Sequence, residues 1–424
     1  MRRLIPQSAY ARNVLTLMTG TTLAQAIPIA ISPLLTRLYS PEEFGRFSVY
    51  MAVVAIASVL VTGRYELAIL LPRQDRDALH IAALAMVLSA AISAVLLLVV
   101  LFFAQPIAAL LGDAALAPWL YWVPASTLLL GLYQSLNYWS NRKAQYRRLA
   151  ISRTVQSGVG ALAQLGGGYA GAGAIGLVSG QVTGQTLATV VLARLIWRED
   201  SKLIKAIDGK RIAALARRHV DFPKFMILGQ LANTASGSMP IFLLAAFFGT
   251  SIAGFYSLAE RVILAPMSLI GGAIGDVYRS EAARFYNANG NCIELFGKTF
   301  IKLVFISSLI ATPVIFMGPS IFSLIFGEKW REAGEVASIL GIMIFFQGIS
   351  SPMSQTILLA KMQVFDLAWQ VLRLLLSVAS LYIGYKVFGN YKTAILSFVI
   401  SFSFLYVLHS LFQYFVAKGV LRNV

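Results

Sequence analysis

Twelve long apolar stretches constrain what this chain can fold into more than any other feature. A membrane-spanning helix needs about 20 mainly apolar residues. Only 12% of the 424 residues are charged, whereas soluble domains carry about 25%. The sequence therefore predicts an all-α polytopic membrane protein with about 12 transmembrane helices. The predicted spans are 13–36, 44–70, 79–104, 117–140, 152–170, 174–196, 223–248, 252–275, 299–320, 333–356, 364–386 and 392–416.

The basic residues predict the orientation of these helices. Cytoplasmic loops of multi-pass membrane proteins carry an excess of Lys and Arg. With the amino terminus inside, most of the 35 Lys and Arg residues fall in the inner loops. We therefore expect both termini to be cytoplasmic. The start MRRLIPQSAYARN leads into a full-length apolar run, so we interpret it as a retained first helix and not as a signal peptide.

The longest connection predicts a division into two halves. Residues 197–222 interleave Ile and Leu with Lys and Arg, which favours a cytoplasmic, basic amphipathic linker lying on the inner leaflet. A plain solvated linker is the alternative. The linker follows the sixth span, so we predict an amino-terminal six-helix bundle over 1–196 and a carboxy-terminal one over 223–424. Gly45 in SPEEFGRFSVY and Gly254 in TSIAGFYSLAE correspond, which indicates a parallel internal repeat.

Charged residues lie within or near the ends of three predicted spans. An ionisable side chain inside a bilayer costs about 3 kcal/mol or more, so it is a candidate functional residue by default. Glu260 and Arg261 are the only charged residues between positions 239 and 274, and Arg64 and Arg373 lie in spans two and eleven. The alternatives are that Arg64 pairs with Glu66 or extends to the inner surface, that Arg261 is neutralised by Glu260 or another acid, and that Arg373 faces lipid and reaches the headgroups. Glu260 either carries a coupling proton or cation, or balances a nearby arginine.

Neither a metal centre nor a disulfide is expected. Cys292 is the single cysteine and the three histidines are far apart in sequence, so no ligand spacing is present. We therefore expect no cofactor. The glycine-rich runs 166–176 and 270–275 lie within apolar stretches, where glycine favours close helix packing over phosphate binding.

Three stretches resemble the polysaccharide-unit flippases of bacterial envelopes, the Wzx-like members of the multidrug/oligosaccharidyl-lipid/polysaccharide (MOP) superfamily. They are TLAQAIPIAISPLLTRLYSPEEFGRFSVY (22–50), RYELAILLPRQDRDA (64–78) and FYSLAERVILAPMSLIGGAIGDVYRSEAARF (255–285). The resemblance implies two six-helix bundles that form a V around a central cavity lined by helices one, two, seven and eight. The implied activity moves undecaprenyl-diphosphate-linked oligosaccharide from the inner to the outer leaflet by alternating access, in the bacterial inner membrane.

The buried arginines agree with that substrate. The planar guanidinium makes bidentate hydrogen bonds to phosphate and keeps its charge when buried. We therefore predict that Arg261, Arg64 and Arg373 bind the diphosphate, and that Glu260 and Glu66 couple or balance charge. Coupling to a proton or cation gradient is one of the two interpretations of Glu260. The candidate partners are the lipid-linked oligosaccharide, membrane lipids, and a polysaccharide polymerase with other assembly proteins, with no nucleic acid. The alternatives are a MATE-like small-molecule antiporter and a membrane polysaccharide polymerase or ligase.

Overall fold

A computed structural model of the protein describes residues 9–204, 207–359 and 363–419. The chain is helical throughout, with no strand in these ranges. It divides into two compact units, Met1–Thr234 and Ala235–Val424. The predicted boundaries at 196 and 223 stay a prediction. Five basic residues used to predict the topology lie outside the described ranges: Arg2, Arg3, Lys205, Lys361 and Arg422.

The first unit is built from nine helices and the start of a tenth. They are α1 (Ala9–Ala30), α2 (Ser32–Leu38), α3 (Pro41–Val61), α4 (Asp75–Leu110), α5 (Ala117–Leu120), α6 (Val123–Arg142), α7 (Tyr146–Tyr169), α8 (Ala174–Ile204), α9 (Gly209–Arg218) and α10 (Ile227–Phe248). The second unit takes the rest of α10 and six more helices. These are α11 (Thr250–Asn289), α12 (Ile293–Phe326), α13 (Arg331–Met353), α14 (Gln355–Leu359), α15 (Gln363–Phe388) and α16 (Tyr391–Ala417).

The predicted all-helical, multi-span fold class is confirmed. Within the described ranges, nine helices are long and apolar enough to cross a membrane. The pair Ala114–Leu120 and Val123–Arg142, bent by 43°, counts as a tenth if it forms one span. Each of the twelve predicted spans overlaps a helix, so the apolar pattern located the elements correctly.

The second predicted span, 44–70, ends earlier than expected. Helix α3 stops at Val61, and a 3-10 segment covers Tyr65–Leu70. Between them Gly63 and Arg64 adopt left-handed backbone angles, with φ of 59° and 62°, which an α-helix cannot contain. Arg64 therefore lies in a break between two helical segments, and not inside the helix where the hydropathy pattern placed it.

Local signals explain where α3 begins. The Ser40 side chain accepts a hydrogen bond from the Glu43 amide at 3.2 Å, and the Glu43 carboxylate accepts one from the Ser40 amide at 2.7 Å. This reciprocal capping box satisfies two donors that the first turn leaves open. Gly45 is the fifth residue of α3 and Gly254 the fifth residue of α11. Their equivalence in a superposition of the two halves stays a prediction.

The run 166–176 packs as expected from its glycines. A Cβ atom added to Gly167 of α7 would lie 2.6 Å from the Cα of Gly176 in α8. One added to Gly168 would lie 2.9 Å from side-chain atoms of Leu38 and Tyr39. The absence of side chains thus allows the two helix backbones to touch, which confirms the packing interpretation.

This contact predicts that alanine substitution at two neighbouring glycines has different effects on stability. We expect Gly167→Ala to lower the midpoint of thermal unfolding, because overpacking costs about 1–3 kcal/mol. Gly166→Ala is the matched control, since a Cβ there meets nothing within 4 Å. Thermal unfolding of both purified variants in the same detergent measures the effect. Equal midpoints for the two variants would contradict the backbone contact.

The linker helix α9 packs against protein. Leu215 is buried in a cluster that includes Ile69 and Ala78, and Arg211 Nε donates to Asp77 Oδ1 at 2.7 Å. The side chains of Lys210 and Arg217 are exposed. At Leu215 the apolar side of α9 therefore packs against the first unit, and the position of the linker on the inner leaflet stays a prediction.

Candidate functional site

Helix α11 carries the charged pair Glu260 and Arg261. Both side chains are half-buried. The Tyr256 hydroxyl, one turn earlier, donates to Glu260 Oε1 at 3.4 Å. Among the described residues, no ion pair includes Glu260 or Arg261. This agrees with helix geometry, because neighbours in sequence point about 100° apart.

Arg373 on α15 lines a polar cavity inside the second unit. The cavity has a volume of about 140 Å³. Arg373 Nη1 donates to Gln370 Oε1 at 3.1 Å, and its side chain is half-buried. Arg373 thus lies among polar side chains, and its role in binding stays a prediction. The lining residues come from α13, α15 and α16 and the residue between α13 and α14: Gln347, Ser351, Ser354, Trp369, Gln370, Arg373, Tyr406 and His409.

A hydrogen-bonded histidine forms one wall of this cavity. The His409 ring stacks on Trp369 with the centroids 4.0 Å apart. Its Nδ1 lies 2.8 Å from the Ser350 hydroxyl and 3.0 Å from the amide nitrogen of Gln413. These contacts hold the ring in one orientation. Sequence reasoning considered His409 only as a metal ligand and missed this role.

Tyr406 connects the acid on α11 to the arginine on α15. It lines the cavity beside Arg373, and it interacts electrostatically with both Arg373 and Glu260. Two of the predicted site residues, Glu260 and Arg373, thus lie within electrostatic range of the same tyrosine. Arg261 is not among the residues that line this cavity.

A second cavity adjoins the first. Its volume is about 300 Å³, and it lies between α11 and α13. Gln347 and Ser351 line both cavities, so polar side chains continue from Arg373 toward Asp276 and Arg279. Helices α11 and α13 approach closely here, because a Cβ atom added to Gly275 would lie 3.3 Å from the Pro352 carbonyl oxygen.

Arg64 and Glu66 form an ion pair in the first unit. Arg64 Nη1 lies 3.3 Å from Glu66 Oε1, and only 1% of the Glu66 side chain is exposed. The Thr62 hydroxyl donates to the other Glu66 oxygen. Within the described part of the chain, Arg64 Nε is buried without a hydrogen-bond partner. The pairing that sequence analysis offered as the alternative is thus present, and phosphate binding by Arg64 stays a prediction.

Metal-ligating side chains do not cluster in the described ranges. No group of three or more His, Cys, Asp or Glu residues there could hold an ion. The chemistry of the second-unit cavity is therefore that of amide, hydroxyl, imidazole and guanidinium groups around one permanent cation. Such a lining can bind an anionic and hydroxyl-rich ligand.

Sequence comparisons identify relatives in polysaccharide biosynthesis. A family model described as polysaccharide biosynthesis protein matches residues 34–335. The succinoglycan biosynthesis transport protein ExoT of Rhizobium meliloti (strain 1021) is 24% identical over 76% of this chain and 63% of its own length. The lipopolysaccharide biosynthesis protein WzxC of Escherichia coli (strain K12) is 22% identical over 54% of this chain and 47% of its own. The chain thus spans less than two thirds of either relative.

Solved structures share the fold. The lipid II flippase MurJ in an inward closed conformation matches with a TM-score of 0.72 at 14% identity, over 95% of this chain and 90% of that one. An inward-facing MATE multidrug resistance transporter of the MOP superfamily matches with a TM-score of 0.68 at 12% identity, over 96% of both chains. The resemblance to Wzx-like MOP proteins is therefore confirmed. Because the family model matches more than half of the chain, this multi-pass membrane protein belongs to the polysaccharide biosynthesis protein family.

Proposed function

We propose that the protein is a flippase for undecaprenyl-diphosphate-linked oligosaccharide units. It moves them from the inner to the outer leaflet by alternating access, for the assembly of surface polysaccharide or lipopolysaccharide. The family, the relatives named for succinoglycan transport and lipopolysaccharide biosynthesis, and the fold shared with a lipid II flippase support this proposal. On this proposal the protein is a transporter and not an enzyme.

One observation carries the proposal: Arg373 lies in a polar cavity within a membrane-spanning unit. Ionisable side chains are rare in membrane-spanning segments and commonly mark substrate pathways. A diphosphate matches the guanidinium, and Gln347 and Gln370 offer both donors and acceptors for sugar hydroxyls. The lining thus suits a substrate that is anionic at one end and polar at the other.

The two alternatives fit the site less well. A MATE-like antiporter shares the fold, but cationic drugs favour acidic side chains, and the residues lining the Arg373 cavity include no Asp or Glu. A polymerase or ligase would need room for catalysis outside the membrane. We would expect such a catalytic region in the outer connections. These connections are short: residues 111–113 separate α4 from the next helical segment, and only Gly327 separates α12 from the next one.

The proposal includes the cellular setting. We place the protein in the bacterial inner membrane with both termini cytoplasmic, as the distribution of Lys and Arg predicts. Its substrate lipid, the surrounding lipids and a polysaccharide polymerase are the proposed partners. Glu260 is the proposed coupling residue for a proton or cation gradient, since it lies near Tyr256 and Tyr406 and in no ion pair of the described residues.

Deleting the gene tests the function directly. We expect surface polysaccharide to be lost and complete single repeat units to accumulate on the inner leaflet. Lipid extraction combined with labelling of intact cells and of inverted vesicles measures the amount and the side. Re-expression of this chain is the control. Single units that accumulate on the outer leaflet would indicate a polymerase, and normal polysaccharide with increased drug sensitivity would indicate an antiporter.

A further inference from the structure

A pocket at one end of the first unit lies apart from the cavities described above. It has a volume of about 540 Å³. One wall is formed by residues 71–74 and Asp77, at the start of α4, and the other by Leu215, Arg218 and His219, on α9 and just after it. The first wall precedes the long apolar run of α4, so the pocket lies beside the start of that helix.

Both walls of the pocket are held in place by specific contacts. The Asp208 amide, just before α9, donates to His80 Nε2 at 3.0 Å. The Tyr65 hydroxyl donates to the Ala216 carbonyl at 2.9 Å. Arg211 pairs with Asp77 at 2.7 Å. Helix α9 is therefore fastened to the first unit at its start, middle and end, and the pocket is a formed cavity.

The lining of the pocket carries more positive than negative charge, two arginines against Asp77. Asp77 pairs with Arg211 and also interacts electrostatically with Arg218. The side chains of Arg73 and Arg218 are exposed, and no ion pair among the described residues includes either. Burial, and then the charge of Arg218, lower the pKa of His219, so its ring is neutral near pH 7 and is a further hydrogen-bonding group. Two arginine forks facing one pocket are suited to a phosphate group.

The surroundings of the pocket favour a phosphate that belongs to a lipid. Leu70 and Leu71 stand directly before the arginine wall, and they are 48% and 59% exposed. Exposed leucines next to a cationic pocket suit an amphiphile, whose acyl chains contact the leucines while its headgroup contacts the arginines. A free phosphate ion would leave these leucines in contact with water. The pocket also lies at the start of α4, one of the helices long and apolar enough to cross a membrane.

We propose that this pocket binds the phosphate of an anionic phospholipid in the leaflet at the start of α4. The lipid headgroup would contact both the start of α4 and the end of α9. It would therefore couple the position of α9, the linker helix, to the membrane surface. The proposal does not rest on the proposed transport function, because it needs only the pocket and the membrane.

Lipid titration of the purified full-length protein tests the proposal. We expect native mass spectrometry to show stronger binding of phosphatidylglycerol than of phosphatidylcholine. A second titration uses a fluorescent lipid analogue at about 0.3 M salt, where attraction between exposed charges is largely screened. We expect the preference for phosphatidylglycerol over phosphatidylcholine to persist under this condition. The double variant Arg73→Ala/Arg218→Ala should weaken phosphatidylglycerol binding about tenfold or more, because each arginine supplies a charge-assisted hydrogen bond.

The matched control removes the same charge beside the pocket. Arg76 and Arg217 are exposed and stand next in sequence to the lining residues Asp77 and Arg218, but they do not line the pocket themselves. The affinity of Arg76→Ala/Arg217→Ala for phosphatidylglycerol should therefore stay within about twofold of the wild-type value. Gln74→Glu is a second variant that keeps both arginines and adds a negative charge to the lining. It should also weaken binding, which separates loss of the site from loss of folding.

Three results would overturn the assignment. The first is equal affinity of the wild-type protein for the two phospholipids. The second is an equal loss in the pocket variant and in the control variant. The third concerns the source of the phosphate. Displacement of phosphatidylglycerol by inorganic phosphate at similar concentration would make this a free-anion site, and preferential binding of undecaprenyl phosphate would assign it to the substrate.

Discussion

Arg373→Gln is expected to reduce export of polysaccharide about 10- to 100-fold, because a hydrogen bond to a charged group contributes about 1.5–3 kcal/mol. The glutamine keeps polar atoms in the cavity and removes only the cation and its fork. Arg373→Lys, which keeps the charge without the planar geometry, should retain part of the activity. Surface polysaccharide in the deletion strain, expressed with each variant, measures the effect.

The control for Arg373 is an arginine of the same unit that lies elsewhere. Arg284 on α11 is exposed and lines neither the Arg373 cavity nor the one beside it, so Arg284→Gln should export normally. Membrane abundance and thermal unfolding of each variant show whether folding is preserved. Wild-type export by a stably inserted Arg373→Gln protein would contradict the proposed role of the cavity.

Arg261→Ala is expected to abolish export while the protein remains inserted in the membrane, and Arg261→Lys should retain part of it. The hypothesis is that Arg261 binds the diphosphate and does not merely neutralise Glu260. The structure supports the second half of this statement, since Glu260 contacts Tyr256 and forms no ion pair with Arg261 among the described residues. Quantification of lipid-linked units on each leaflet measures the effect.

The double variant Glu260→Gln/Arg261→Gln separates binding from charge balance. If Glu260 and Arg261 only neutralised each other, removing both charges would restore the export that Arg261→Ala loses, because no uncompensated charge would remain in the membrane. We expect the double variant to stay inactive. Glu260→Gln alone keeps a hydrogen-bonding partner for Tyr256 and serves as the control for folding. Wild-type export by the double variant would leave Arg261 and Glu260 as a structural pair.

The existence and order of the helices could be predicted from the sequence, whereas several ends could not. Helix α11 reaches Asn289, well past the predicted end at 275, and α4 runs from Asp75 to Leu110. Hydropathy detects only the part of a helix that lies in lipid. Helices that continue into the polar region carry charged residues such as Asp276 and Arg279, which end the apolar pattern without ending the helix.

The candidate site could be predicted only in part. Arg373 and Glu260 were recognisable because ionisable residues are rare in apolar runs. His409, Tyr406 and Gln413 were recognisable by a weaker signal, since they recur at spacings of three and four on one side of α16. Gln347 and Ser351 on α13 gave no such signal. Uncharged polar residues are frequent in membrane helices, and only the packing of α13 against α16, and of α16 against α15, assigns these two to the cavity.

The sequence by itself determined the class of protein, the order of the helices and the charged residues that need an explanation, because each is a property of local composition. The tertiary structure decided which of those charges have partners. It placed Arg64 in a left-handed break beside Glu66, Glu260 beside Tyr256, and Arg373 in a cavity with His409 and Tyr406. Such contacts join residues far apart in the chain, so they depend on helix packing, which hydropathy and spacing do not specify.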